Sequence, residues 1–132
     1  MNSQILKYLD SFQKNAEPEL NELNVFFSNI DFNIDKEFFE LYKIFNGAEG
    51  FLNQVNFLIL WKISDIVALN PYYEDSIECE NLFFFGTNGS NYGYAFDKNK
   101  STIVGIDFLE IYDHQPILIS NTFLEFLDEL SK

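Results

Sequence analysis

Apolar positions change their period along this chain, and the changes divide it into elements. Ile5, Leu6, Leu9 and Phe12 recur at i, i+1, i+4 and i+7 with Lys7, Asp10 and Lys14 between them, the signature of an amphipathic helix. Pro18 interrupts it. Over Glu19 to Ile30 the pattern stays open, because Leu20, Leu23 and Phe27 allow a helix while Asn21, Asn24 and Asn29 weaken it. From Asn33 to Phe45 it is strong. Ile34, Phe38, Leu41, Tyr42 and Phe45 form one broad stripe, and Asp35, Lys36, Glu37, Glu40 and Lys43 take the wet side. Asn33 is the expected cap, Asp35 and Glu37 complement the dipole, and Gly47 after Asn46 supplies a left-handed residue to end the helix.

Beyond Gly47 the period shortens. Phe57 to Trp61 reads as a buried strand, and Ser64 and Asp65 as the caps of a short helix through Leu69 that Asn70-Pro71 ends. Glu74 to Glu80 is acidic and reads as a loop. Three strands are predicted next, Leu82 to Gly86, Tyr92 to Phe96 and Thr102 to Phe108, joined by two short turn-rich connectors that favour an antiparallel meander. In the middle strand Tyr92, Tyr94 and Phe96 point one way and Gly93 and Ala95 the other, so one sheet face is bulky and the other leaves room for close packing. Thr122-x-x-Glu125 has capping-box spacing before the helical stripe of Phe123, Phe126, Leu127 and Leu130. The sum is a single α+β domain over residues 1–132: a central antiparallel sheet flanked by N-terminal helices and a C-terminal helix, with no internal repeat or linker.

Composition sharpens this picture in two ways. A 132-residue chain that is 47% hydrophobic, with 16 Phe, has ample core material and needs no disulfide staple. Its charge is lopsided, with 21 Asp and Glu against 8 basic residues, all Lys, for a net charge of -13. Without Arg there is no guanidinium fork for phosphate or guanine, and the overall field repels polyanions. Nucleic acid and anionic membrane surfaces are therefore excluded as direct partners. A basic protein is the partner such a field attracts. No apolar run approaches the ~20 residues of a membrane helix, the N-terminus has no signal-like pattern, and Cys79 has no intrachain partner. A cytoplasmic protein is expected.

Catalytic chemistry finds little to work with. His114 is the sole histidine, in an expected loop with an ordinary surface role, so a two-histidine metal site is impossible. A Cys79–His114 nucleophile pair is disfavoured by Glu78 and Glu80, whose charges oppose a thiolate. Gly86, Gly89 and Gly93 lack the Lys-Ser/Thr of a phosphate loop and read as hairpin glycines. Asp97-x-Asn99-x-Ser101 begins like a calcium loop, but Thr102 and Phe108 stand where the Gly and bidentate Glu belong, so it is a turn. Carboxylate pairs such as Glu78 and Glu80 or Asp107 and Glu110 are what the composition guarantees. No catalytic residue, metal site or cofactor is expected. The sharper reading of Glu74, Asp75, Glu78 and Glu80 beside Tyr72 and Tyr73 is a docking surface, since aromatic anchors rimmed by charge suit a protein interface. Trp61 reads as core or cleft lining and, with Tyr92, as a further candidate anchor.

The order of these pieces resembles the SUKH (Smi/Knr) superfamily. The resemblance is carried by Leu41-Tyr42-Lys43-Ile44-Phe45-Asn46-Gly47, by Phe57 to Trp61 leading to Ile63-Ser64-Asp65-Ile66 and Asn70, by Phe84-Phe85-Gly86 through Gly93-Tyr94-Ala95-Phe96-Asp97, and by the helix from Ser120 to Leu130. It covers nearly the whole chain from Asp31 onward, although Phe32-Asn33-Ile34 replaces the usual Leu-Pro before the helix. It implies an α+β binding domain. In bacteria it implies an immunity protein that binds and neutralises a polymorphic toxin, often a nuclease; in fungi, a scaffold or regulator of cell-wall glucan synthesis. It further implies structural turns at Asn46-Gly47 and at Gly86, Gly89 and Gly93.

Overall fold

The three strands expected between Leu82 and Phe108 form the centre of a larger sheet in the computed structural model, which describes residues 1–110 and 115–132, the side chain of Glu110 excepted. Five α-helices are described: α1 (Ser3–Tyr8), α2 (Leu20–Ser28), α3 (Lys36–Ile44), α4 (Ile63–Leu69) and α5 (Phe123–Ser131). The strands are β1 (Gln13–Lys14), β2 (Ala48–Phe51), β3 (Phe57–Leu60), β4 (Leu82–Thr87), β5 (Tyr92–Asp97), β6 (Ile103–Asp107) and β7 (Ile117–Ser120). They lie in chain order and every neighbouring pair is antiparallel, so the meander runs through the whole sheet. The architecture is α+β. β1, β2 and β7 have no period-2 signature in the sequence; they exist because a neighbouring strand offers them a ladder.

Helix ends depart instructively from their sequence signals. α3 starts at Lys36, and its cap is Asp35 rather than Asn33, with Asp35 Oδ1 accepting the Glu37 N–H at 2.8 Å. The same carboxylate's Oδ2 accepts the Phe123 N–H at 2.8 Å, so one side chain ties together the starts of α3 and α5. Phe45 is extended and already closes α3, so Gly47 does not cap it. Gly47 takes φ +83° in the turn into β2, where a Cβ would lie 2.6 Å from the Leu60 carbonyl oxygen. Ser64 and Asp65 lie inside α4 and cap nothing; the Ile63 N–H is met from outside the segment by Asn46 Oδ1 at 2.8 Å. At α5 the capping spacing works, with Thr122 Oγ1 accepting the Glu125 N–H at 3.1 Å. The returning bond from Glu125 goes to the Asn121 N–H, one residue earlier than in a standard capping box. Glu19 to Ile30 resolves as helix α2, with Leu23 and Phe26 buried.

Two apolar clusters lie on opposite faces of the sheet. The larger fills the space between the sheet and all five helices, with the Phe38 ring 4.5 Å from Tyr42, 5.2 Å from Phe96, 5.4 Å from Phe85 and 5.6 Å from Phe123. Ile5, Leu9 and Phe12 join it, although α1 ends at Tyr8, while Leu6 of the same predicted stripe faces solvent. The smaller cluster gathers Cys79, Leu82, Phe84, Ala95, Val104 and Ile106, covered by Tyr73 and Phe108. Gly93 opens onto this face, and a Cβ there would meet the Phe108 ring at 2.3 Å. The small-residue side of β5 is therefore the seat of an aromatic ring.

Candidate protein-binding surface

The acidic segment after α4 is a sequence of turns, and it is anchored rather than loose. Asn70 is buried at the C-terminal end of α4, where Nδ2 donates to the carbonyls of Ile66 at 2.8 Å and Phe84 at 2.9 Å while Oδ1 accepts the Phe84 N–H at 2.8 Å. That side chain extends the β4 ladder past the point where β3 has left it, since the last link from that side is Trp61 N–H to Phe85 C=O. Tyr73 then turns inward and stacks on Phe108, centroids 5.0 Å apart and planes at 17°, with Phe84 at 4.8 Å. Cys79 is fully buried at the far end. Between these pins Tyr72, Glu74, Asp75 and Glu80 project into solvent, Tyr72 being 79% exposed. Glu78 is half-buried and accepts the Ser76 hydroxyl at 2.9 Å. Tyr72 and the acids thus lie on one pinned turn, Glu74 beside a hollow it shares with Asp31 and Phe83 and Glu78 beside another lined by Asp97 and Lys100, whereas Tyr73 packs inward.

Trp61 and Tyr92 sit elsewhere. Trp61 is half-buried against both clusters, its C=O accepting the Tyr42 hydroxyl at 2.6 Å, and its side chain lines a shallow depression with Gln13, Glu49 and Asp65. Tyr92 packs on the large-cluster face, its ring 5.7 Å from Tyr94 and lying over Gly105, away from the acidic turn. Of the turn residues, Asn46 tethers α4 as described, and Gly89 is a true hairpin residue at φ +83°. Gly86 and Gly93 are instead inside strands. Gly86 is required because a Cβ would lie 2.3 Å from the Ile59 carbonyl oxygen of the adjacent strand.

The electrostatics disfavour a thiolate at Cys79. Burial pushes the Cys79 thiol up, the Ser76 hydroxyl pulls it partly back, and Glu78 raises it again. His114 lies outside the described residues. Asp97 Oδ1 accepts the N–H groups of Asn99 at 2.9 Å and Lys100 at 3.1 Å, so the calcium-like segment is an Asx turn whose carboxylate is already engaged. Among the described residues, no group of three or more His, Cys, Asp or Glu is placed to hold a metal.

Between α2 and α4 runs a groove of about 550 Å³, floored by Phe83 and walled by Val25, Phe26 and Ile30 on one side and Ile63 and Val67 on the other. It continues into a second hollow of about 290 Å³, which shares Ile30, Val67 and Phe83 and ends at Pro71 and Glu74. Val25 and Val67 are 52% and 58% exposed. The groove's only trace in the sequence is the pair Val25 and Val67, apolar residues outside the buried stripes of α2 and α4. No family model matches the chain, and no curated protein matches its sequence. No helix among the described residues is long and apolar enough to cross a membrane.

Proposed function

We propose that this chain is a non-enzymatic protein-binding domain, an immunity protein that neutralises a basic toxin, of the nuclease class, by binding and occluding it in the cytoplasm. The observation that carries the reading is the pinned turn from Tyr72 to Glu80, which presents an exposed tyrosine and clustered carboxylates on a firm base within a molecule of net charge -13. A nuclease surface that holds nucleic acid is basic, and an acidic ligand competes for it directly. Opposite charge speeds the encounter and makes it salt-sensitive, while Tyr72 supplies contact area at small conformational cost. The resemblance to the SUKH superfamily points the same way.

Co-expression with the toxin encoded beside this gene tests the proposal. Recovery of growth and a complex whose association slows in high salt are expected, and Glu74→Lys, Asp75→Lys and Glu80→Lys together should abolish protection without unfolding the chain. Neither complex nor rescue would overturn it. A pull-down that returns cell-wall or signalling enzymes and no toxin would replace it with a regulatory scaffold of the Smi/Knr type.

A further inference from the structure

The groove between α2 and α4 is open, apolar at its centre and polar at its edge, where Asn21, Asn29 and Ser64 line it. Its floor, Phe83, belongs to a part of β4 that β3 no longer pairs, but there Asn70 already engages the Phe84 N–H and C=O and the Cys79 carbonyl accepts the Leu82 N–H, so this edge offers little to an incoming strand. An occupant must insert side chains between two helices. We infer that this groove seats an amphipathic helix of a basic protein, with a row of apolar side chains against Val25, Val67 and Phe83 and Lys or Arg flanking that row. This rests on the protein-binding reading above and names the part of the partner that it grips.

Three observations favour that occupant. α2 has nine residues, about 13 Å of helix, so the groove matches two to three turns and an i, i+3/i+4, i+7 row of apolar anchors. Of the charged side chains lining the groove and its continuation, Glu22, Asp31 and Glu74 are acidic and Lys98 is basic, which favours cationic flanks. A second copy of this chain would bring its own charge of -13 and be repelled. Glu74 closes one end of the groove and also belongs to the exposed acidic turn, so the two surfaces are continuous. A bound helix would bury its apolar row between α2 and α4 and place its basic residues within reach of Glu74 and Asp75.

The test uses the full chain, labelled with ¹⁵N and titrated with a synthetic peptide of about four helical turns carrying Leu on one face and Lys on the other. Amide shifts concentrated in α2 and α4 are expected. The double variant Val25→Glu, Val67→Glu should weaken binding about tenfold or more even though it adds two negative charges, because burial of the apolar row is lost. Both positions are exposed, and an unchanged thermal midpoint would confirm that the fold survives. Shifts confined to Tyr72–Glu80, equal binding of a peptide with the same composition but scattered Leu, or tighter binding by the double variant would each overturn the inference, since each means attraction by charge alone. Concentration-dependent shifts in α2 and α4 without peptide would overturn it in favour of self-association. If a neighbouring toxin binds the double variant undiminished, the groove is removed while the immunity reading stands. If the peptide seats in the groove and no toxin partner exists, the groove stands and that reading falls.

Discussion

Removing the Asn70 side chain should cost this protein a large share of its stability. Its amide serves three hydrogen bonds, two donated to the carbonyls of Ile66 and Phe84 and one accepted from the Phe84 N–H. All three are buried, at a level of β4 where β3 no longer pairs. In Asn70→Ala the Phe84 N–H and C=O lose their partners beneath packed aromatics, and a buried group left unsatisfied costs about 1–3 kcal/mol. Two such groups plus a small cavity give about 3–5 kcal/mol, against a total of about 5–15 kcal/mol for an ordinary domain. Asn70→Leu fills the volume without restoring a bond, so it should recover only the cavity share, about 1 kcal/mol. Urea unfolding followed by fluorescence of Trp61, the sole tryptophan, and by circular dichroism measures both, with a lowered midpoint at unchanged slope. A loss below about 1 kcal/mol for Asn70→Ala, or wild-type stability for Asn70→Leu, would refute the view that Asn70 completes the β4 ladder.

Asp35→Ala removes the cap of α3 and the bond to the Phe123 N–H, and should lower unfolding free energy by about 2–4 kcal/mol, measured by the same denaturation. Gly86→Ala should cost about 3 kcal/mol, because the Ile59 carbonyl oxygen 2.3 Å from the new Cβ is backbone and cannot swing away. Gly89→Ala, strained by φ +83° with only the side chains of Phe57 and Ile59 near the new Cβ, should cost about 1 kcal/mol, and near-equal losses for the two would refute the distinction. Burial pushes the Tyr42 phenol well above its usual range and Tyr94 up to about 12. Below about pH 10 both phenols are protonated in the folded and unfolded states alike; above it only the unfolded chain releases protons, so stability falls as pH rises, by about 1.4 kcal/mol per pH unit for Tyr42 alone. Tyr42→Phe should flatten that decline in pH-dependent unfolding, at the cost of leaving the Trp61 carbonyl without its hydroxyl donor.

Where an element is set by its own residues, the sequence is sufficient. α3 and α5 each carry a full apolar stripe, and the three central strands carry β-forming residues between turn-rich connectors, so their existence is readable from local pattern. Their faces follow as well, since alternation alone puts Tyr94 and Phe96 opposite Gly93 and Ala95. Element ends are different. Asn33 and Asp35 have similar capping chemistry, and Asp35 is selected because its second oxygen meets the start of α5, 88 residues away. The start of α4 is satisfied by Asn46, which no local capping rule could find. Of the short strands, β1 depends likewise on a partner distant in the chain, while β2 and β7 form against the strands next to them in sequence.

The candidate surface divides along the same line. Charge is additive over the sequence, so the net charge of -13 behind the proposed basic partner is read by counting, and the acidic turn beside Tyr72 is legible because its residues are neighbours in the chain. Tyr72 and Tyr73 are nonetheless equivalent as letters. Only packing turns Tyr73 onto Phe108 and leaves Tyr72 in solvent, and only packing seats the acidic turn on the sheet face opposite Tyr92. The groove is the extreme case, since core residues Phe26 and Ile63 and the exposed Val25 and Val67 line it together. Which residues those are depends on how each helix is rotated over β4, and that rotation is fixed by the close packing of the whole core rather than by either segment alone.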